Sequence, residues 1–447
     1  MGKQGKKNLL VLGVDSLWAD HMSCYGYHRN TTPHLDAFAK SAVRFEKAYS
    51  AYIPTTPAYH AMVTGCDPFT TQIVSLRNKT KLPDEIPTLP EMLRGQGYES
   101  LVIGFDGNWP RGFDKNLTSP AWGSWEERPL RKAENVNDVL FPELDRLAQG
   151  DKPWFVFLRH MDPHSPYLPP PPYDKLFFTK DPADPKVNTM KPVFDFAPFA
   201  DFFKSWMPPG VSDISWGIAA YDGALAYMDA CIQQIFNKLN DLGLADDTVI
   251  VLNGDHGETL TDHDCYFDHH GLYDCTLHVP LIVKAPGLPA GKVVKGTVLH
   301  EDLVPSVLEL LDLSDVAAKS KFDGKSWLPL IRGERATNYS EFYITECTWM
   351  RKHGWRTPQW KLIRALEPDF HGKPSVELFD LIADPNEDHN VAEREPGVVE
   401  ALTQRMNAYL ERRKKESGKG NPIDLYELGT ALRIGSVATA KKLQEKK

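Results

Sequence analysis

The sequence predicts a doubly wound α/β sheet, mostly parallel and flanked by helices, with a smaller antiparallel α+β unit after it. Three observations point there. Short, nearly continuous apolar runs occur at 8–15, 154–158, 248–252 and 279–283, the pattern of strands buried on both faces. Helical stretches separate them, and such alternation implies a parallel sheet. Side chains with metal or acid–base chemistry follow the ends of three runs: Asp15, then Asp162 and His164, then Asp255 and His256. Open α/β sheets place their sites at that edge.

Residues 8–15 open the chain as a strand. A helix is expected from His34 to about Ala42, after Thr32-Pro33. Thr55–Thr64 begins as a turn and becomes a helix, with Pro57 in the first turn, where a missing N–H costs little. Leu89–Gln96 is a short helix, Ser100–Gly104 a strand and Val136–Gln149 an amphipathic helix. Trp154–Leu158 is a buried strand. Residues 163–217 form an insertion rich in proline and aromatic residues, including Phe194, Phe196, Phe199, Phe202, Phe203 and Trp206. Core or contact packing is the expectation for these rings, with a lid or lipid-facing patch as the alternatives. Ile218–Leu242 is a long helix, Thr248–Leu252 and Val279–Val283 are strands, and Asp302–Leu311 is a helix. The catalytic α/β domain is thus expected over 1–335. Strands at Tyr343–Thr348, Trp360–Ala365 and Val376–Leu381 and a helix at about Pro396–Lys415 make a second unit over 336–415. Residues 416–447 read as a polar tail or an arm for a neighbouring subunit.

Composition narrows the functional classes. The 447 residues are 42% hydrophobic, enough for a substantial core, and carry a formal charge of −9, which disfavours a nucleic-acid partner. No apolar run reaches the roughly 18 residues of a membrane span. The basic start, Met1 to Lys7, leads into an apolar stretch cut short by Asp15, so no signal peptide is expected. Six scattered cysteines without CxxC spacing suit a reducing compartment, and a cytoplasmic location is the expectation.

The strand-end residues suggest an activated hydroxyl. Asp15 supplies a carboxylate. Asp255 and His256 are adjacent and would normally diverge, but just past a strand end the chain turns and both can reach one cation, with Gly254 and Gly257 permitting the turn. Thr55 would complete the set as ligand and nucleophile. Singly, each residue has an ordinary role: a strand-end Asp caps a helix, and a Thr before Pro is an N-cap. Their combination in this order is what points to a site.

Several segments together resemble the sulfatase-like branch of the alkaline phosphatase superfamily. They are Asp20-His21-Met22-Ser23-Cys24-Tyr25-Gly26, Met161-Asp162-Pro163-His164-Ser165-Pro166-Tyr167, Asn253-Gly254-Asp255-His256-Gly257-Glu258, His270-Gly271-Leu272-Tyr273-Asp274 and Glu377-Leu378-Phe379-Asp380-Leu381. The resemblance implies an alkaline-phosphatase-like fold, a divalent metal, a small anionic ester as substrate and assembly into a homo-oligomer. It also implies that Asp162, His164 and His270 hold a second metal or contact the substrate and leaving group. His270 is preferred over His269 because Gly271 follows it; His263 and Asp268 are nearby alternatives.

The departures bear on the chemistry. The family's Cys-x-Pro-x-Arg run, whose Cys or Ser is oxidised to formylglycine, has Thr55 at its first position and Tyr59 at its arginine. A threonine cannot give that aldehyde, so no formylglycine is expected. The family's Gly-Lys-Trp-His segment falls at Gly104-Phe105-Asp106-Gly107, and its second acid is Ser16. Calcium prefers six to eight oxygen ligands; fewer carboxylates and a histidine favour Mn²⁺ or Zn²⁺. The Thr-x-Pro opening also resembles nucleotide pyrophosphatase/phosphodiesterases and phosphoethanolamine transferases, which use an unmodified threonine. The expectation is therefore a phosphodiester or phosphonate monoester hydrolase with a phospho-threonine intermediate. A sulfatase acting through a plain threonine is the alternative, and a non-catalytic binding relative is a third reading. Tyr59, His60, Asn108 and Arg111 are candidates for substrate contact. Trp349, Arg351, Lys352, His353, Trp355 and Arg356 form a basic-aromatic group that either reaches the substrate or packs on the main sheet.

Overall fold

Strand β1 (Asn8–Val14) is buried at every position, as a strand covered on both faces must be. The computed structural model describes residues 5–76, 80–104, 110–369 and 371–426. The chain continues through β2 (Val43–Tyr49), β3 (Tyr52–Ile53), β4 (Glu99–Gly104), β5 (Lys115–Thr118), β6 (Trp154–His160) and β7 (Thr248–Gly254). Then come β8 (His278–Lys284), β9 (Lys292–Leu299), β10 (Phe342–Cys347), β11 (Arg351–Arg356), β12 (Trp360–Ala365) and β13 (Val376–Asp380).

Among the described residues the first sheet has the order β5-β4-β6-β1-β7-β8-β2-β9. β1 runs parallel to β6 and β7, and β4 to β5 and β6. β8 runs antiparallel to β7 and β2, so the sheet is mixed and mostly parallel, as expected. Alternation along each strand feeds two cores. Leu10, Leu12, Val156 and Leu158 meet the helices Pro33–Lys40, Lys132–Gln149 and Ser215–Asp241. Leu9, Val11, Phe155 and Phe157 meet Thr55–Thr64, Leu89–Arg94 and Leu303–Leu310.

The second sheet has the order β13-β12-β11-β10-β3. Its four C-terminal strands are antiparallel, and the helix Pro396–Ser417 packs on it through Leu402 and Met406. Its fifth strand comes from far upstream: Tyr52 and Ile53 pair in parallel with Thr345 and Glu346. A partition at residue 335 is therefore crossed by β3.

Other features depart from expectation, while the aromatic insertion meets it. β11 occupies the basic-aromatic segment, and its charges are used internally: Lys352 pairs with Asp369 at 2.5 Å and Arg356 with Asp274 at 2.7 Å. In the insertion, Phe199, Phe203 and Trp206 are buried with Tyr167, Tyr221 and Phe267, which is core packing. The helix at 396 ends at Ser417, and Ile423 and Tyr426 are buried with Val74 and Cys347. That stretch is thus not a free tail; residues 427–447 lie outside the described residues. Among the described residues no helix is long and apolar enough to cross a membrane.

Candidate active site

The ladder of the central strands runs one residue past their ends. Asp15 donates its N–H to the His160 carbonyl at 2.9 Å, and Asp255 donates to Val14 at 3.2 Å. Ser16, at φ 58°, then turns the chain sharply and donates its N–H to Asp255 Oδ1 at 3.1 Å. Asp255 Oδ1 also receives the His256 N–H at 2.8 Å. Past His256, only glycine fits at position 257: a Cβ there would lie 2.0 Å from the Cys275 carbonyl oxygen. This turn lets adjacent Asp255 and His256 side chains converge.

Three ligand-type atoms are left facing one another. Arg159 donates from Nε (2.8 Å) and from Nη2 to Asp15 Oδ2. Asp15 Oδ1 and Asp255 Oδ2, both buried, accept no hydrogen bond. The Nε2 of His256 lies 3.8 Å from the first and 3.5 Å from the second. Asp15, Asp255 and His256 offer ligand atoms all within 4.8 Å of one another. Buried carboxylate oxygens without partners are costly, and a divalent cation is what two such oxygens and an imidazole lone pair would satisfy. The residues fit the metal.

Thr55 begins the helix Thr55–Thr64, and its Oγ1 lies 3.0 Å from His256 Nε2. His256 Nδ1 faces the Gly257 carbonyl at 2.8 Å. That contact fixes the proton on Nδ1 and turns the Nε2 lone pair toward Thr55. Burial, with the nearby His269, pushes His256 down to about 3, so it is neutral at pH 7. Burial and the Asp15 charge push Asp255 well above the usual carboxylate range. Asp15 is held well below it: burial alone would raise it, but Arg159, His164 and His256 outweigh that.

A histidine layer lies beside this set. His269 stacks on His256 with ring centroids 4.3 Å apart, and His164 lies 5.8 Å from His269. Burial would lower His269, but Asp268, 2.9 Å from its Nδ1, carries it up to about 9. His164 is lowered by burial. His270 points elsewhere. Its Nε2 lies 3.2 Å from Asp268, and its ring packs among Phe199, Trp349 and His371. Gly271, at φ +81°, redirects the chain after it, and its N–H reaches Glu346 on β10. His269, not His270, is the imidazole against the candidate metal set.

Other expected contacts are engaged away from it. Asp162 meets Lys132 at 3.1 Å and accepts the Ala133 N–H, capping the helix at 132. It is a buried carboxylate with structural partners, outside the Asp15–Asp255–His256 group. Arg111 pairs with Glu91 at 2.8 Å and donates to the carbonyls of Leu82, Pro83, Asp84 and Ile86; it ties one loop to another. His60 turns its Nδ1 to the Thr56 carbonyl within its own helix. Tyr59 is buried beneath the site, its hydroxyl directed at the Gly13 carbonyl at 3.4 Å. His263 stacks on Tyr273, 3.7 Å away. Asn108 lies outside the described residues.

Three residues of this region were not anticipated, and a fourth, His269, had been placed behind His270. Arg159 and His269 touch the candidate ligands directly. Tyr167 donates to Glu258 at 2.8 Å, joining the proline-rich segment to the Asp255–Glu258 turn. Lys132, fully buried, donates to the carbonyls of Met161, His164 and Pro166 and so holds the histidine loop. Arg159 had left a mark in the sequence, a charge inside an apolar strand; His269 had only its adjacency to His270.

The model of the family described as Sulfatase matches residues 7–313, a span that includes Asp15, Thr55, Arg159, Asp255, His256 and His269. The chain belongs to the sulfatase family. It is an enzyme of the sulfatase-like branch of the alkaline phosphatase superfamily. A second model, N-sulphoglucosamine sulphohydrolase, C-terminal, matches residues 262–416. Among curated relatives, a choline-sulfatase of Rhizobium meliloti is 24% identical over 446 residues, covering 89% of this chain and 85% of the relative. A Delta 4,5-hexuronate-2-O-sulfatase of Bacteroides thetaiotaomicron is 24% identical, covering 92% and 90%. The crystal structure of the phosphonate monoester hydrolase of Agrobacterium radiobacter has a TM-score of 0.72 and 21% identity, covering 91% of this sulfatase-family chain and 96% of its own. That likeness is one of fold.

Proposed function

We propose that this sulfatase-family chain is a metal-dependent hydrolase of small phosphodiesters or phosphonate monoesters, with Thr55 as its nucleophile. The observation that carries the reading is the 3.0 Å between Thr55 Oγ1 and His256 Nε2, beside the carboxylates of Asp15 and Asp255. A divalent cation bound by Asp15, Asp255, His256 and Thr55 would lower the hydroxyl's pKa and neutralise an approaching anion. Thr55 loses its proton to solvent, and Oγ1 attacks phosphorus. The Oγ1–P bond forms as the bond to the leaving oxygen breaks. His269, charged beside Asp268, donates the proton that this oxygen takes. Water then adds to phosphorus, the Oγ1–P bond breaks, and the water's proton returns to His269.

Sulfate ester or sulfamate hydrolysis is the second reading, and the relatives favour it. The choline-sulfatase and the hexuronate-2-O-sulfatase align over most of the chain, and their names weigh toward sulfur. The side chain weighs the other way. An aldehyde hydrate expels sulfate unaided, whereas a sulfo-threonine has to be hydrolysed.

The test is a rate panel with Mn²⁺ or Zn²⁺ added: aryl sulfate, aryl phosphate, an aryl phosphodiester and a phenyl phosphonate ester. Fastest turnover of the diester or phosphonate, with an acid-quenched phosphoryl adduct on Thr55 by mass spectrometry, supports the phosphorus reading. Fastest turnover of the sulfate replaces it with the second.

A further inference from the structure

Arg159 interrupts a strand that is otherwise apolar. β6 runs Trp-Phe-Val-Phe-Leu and then Arg-His, and a central parallel strand is an unfavourable place for a cation unless a partner is supplied. The surroundings are shaped for it. On the neighbouring strand β4 stands Gly104, where a Cβ would come within 2.7 Å of the Arg159 Cβ and 2.8 Å of its carbonyl oxygen. On the other side the guanidinium lies over the Tyr59 ring, 5.5 Å from its centroid, a favourable cation–π distance. Nε and Nη2 both donate to one oxygen of Asp15.

The choice of oxygen matters. With Oδ2 taken, Oδ1 is the atom turned toward His256 Nε2. The carboxylate is fixed with one oxygen bound and the other presented. Tyr59 is also the position at which the family's Cys-x-Pro-x-Arg run has its arginine. An arginine side chain leaving the helix at position 59 would start from the spot where the Tyr59 ring now supports Arg159.

We propose that Arg159 is the positioning residue of this site: a guanidinium borne on β6, seated on Tyr59, that aims Asp15 at the cation and stands in for the arginine absent from the nucleophile helix. Its effect on turnover rests on the metal-and-Thr55 reading above. Its effect on metal binding does not involve the substrate.

The experiment is a competition titration of Mn²⁺ and Zn²⁺ against a chromophoric chelator, with melting temperatures in parallel. Removing a group that orients a metal ligand typically weakens binding about 10–100-fold. Arg159→Ser is expected to show that loss, Arg159→Lys to recover part of it, and Arg159→Ser with Tyr59→Arg to recover more than Arg159→Ser alone. Unchanged or tighter metal binding in Arg159→Ser overturns the positioning role. A double variant no better than the single one overturns the exchange. If the serine variant does not fold, Arg159→Gln is titrated with the same two outcomes. Metal binding that responds as described in a protein inactive on every ester would remove the Thr55 reading and leave Arg159 in place.

Discussion

The imidazole rings of His256 and His269 lie stacked, with centroids 4.3 Å apart and planes 28° from parallel. At pH 7 one ring is neutral and the other protonated. His256 is pushed down to about 3 by burial and by its neighbour, while Asp268 carries His269 up to about 9 despite burial. One ring therefore offers a lone pair toward Thr55, and the other offers a proton.

The division of labour is tested by replacing each imidazole in the loop. His269→Gln is expected to lower kcat by about 10²–10⁴-fold, the usual contribution of a positioned acid, with KM little changed. His270→Gln, whose ring packs away from the metal set, is expected to lower kcat less than about tenfold. Steady-state rates on the best ester of the panel separate the two, and equal losses would remove the distinction.

His269 and Asp268 set a pH dependence in metal-chelated protein. His269 is raised from 6.5 to about 9 on folding, so the native state binds its proton more tightly than the unfolded chain. The stabilisation is full below pH 6.5 and is lost as pH rises through 9. The melting temperature of chelated wild type should therefore exceed that of chelated His269→Gln at pH 6, and the gap should close by pH 10. A gap that widens with pH would contradict the assignment.

Thr55→Ala should abolish turnover and leave the fold. The loss expected for a removed nucleophile is about 10⁴–10⁶-fold in kcat. The melting temperature should stay near wild type, since a surrounding helix and strand keep their contacts. Activity within tenfold of wild type would sink the nucleophile.

Lys132 and Asp162 are predicted to matter for stability and only indirectly for rate. Both are buried, 3.1 Å apart. Lys132→Met strands Asp162 and frees three loop carbonyls, and breaking one side of such a pair costs about 3–5 kcal/mol. Urea unfolding measures it; a loss under about 1 kcal/mol would mean the pair is easily replaced.

Much of this was legible because buried parallel strands advertise themselves. β1, β6 and β7 read as apolar runs, and the residues just beyond them, Asp15, Asp255 and His256, are the ones that meet. β2 and β9 were not legible: their sequences, Val-Arg-Phe-Glu-Lys-Ala-Tyr and Lys-Val-Val-Lys-Gly-Thr-Val-Leu, carry charges because they lie toward one edge of the sheet. Asp162 and Arg111 look like site residues locally. Their partners, Lys132 and the carbonyls of 82–86, lie some 20 to 30 residues away, where no local pattern reports them. His269 and His270 differ only in which way a turn sends them, and that turn depends on Glu346 from the second sheet.

β3 is two residues long, and Thr55 comes two positions after it. Its partners, Thr345 and Glu346, lie almost three hundred residues downstream, and Glu346 also receives the N–H of Gly271 in the histidine loop. One strand of the C-terminal sheet is thus a common footing for the proposed nucleophile and for the loop of the proposed proton donor. A shortened protein ending near residue 335 would keep every candidate ligand and still lose the floor on which Thr55 stands. Grafting a foreign C-terminal half onto this chain would retune the reaction centre along with the surface above it.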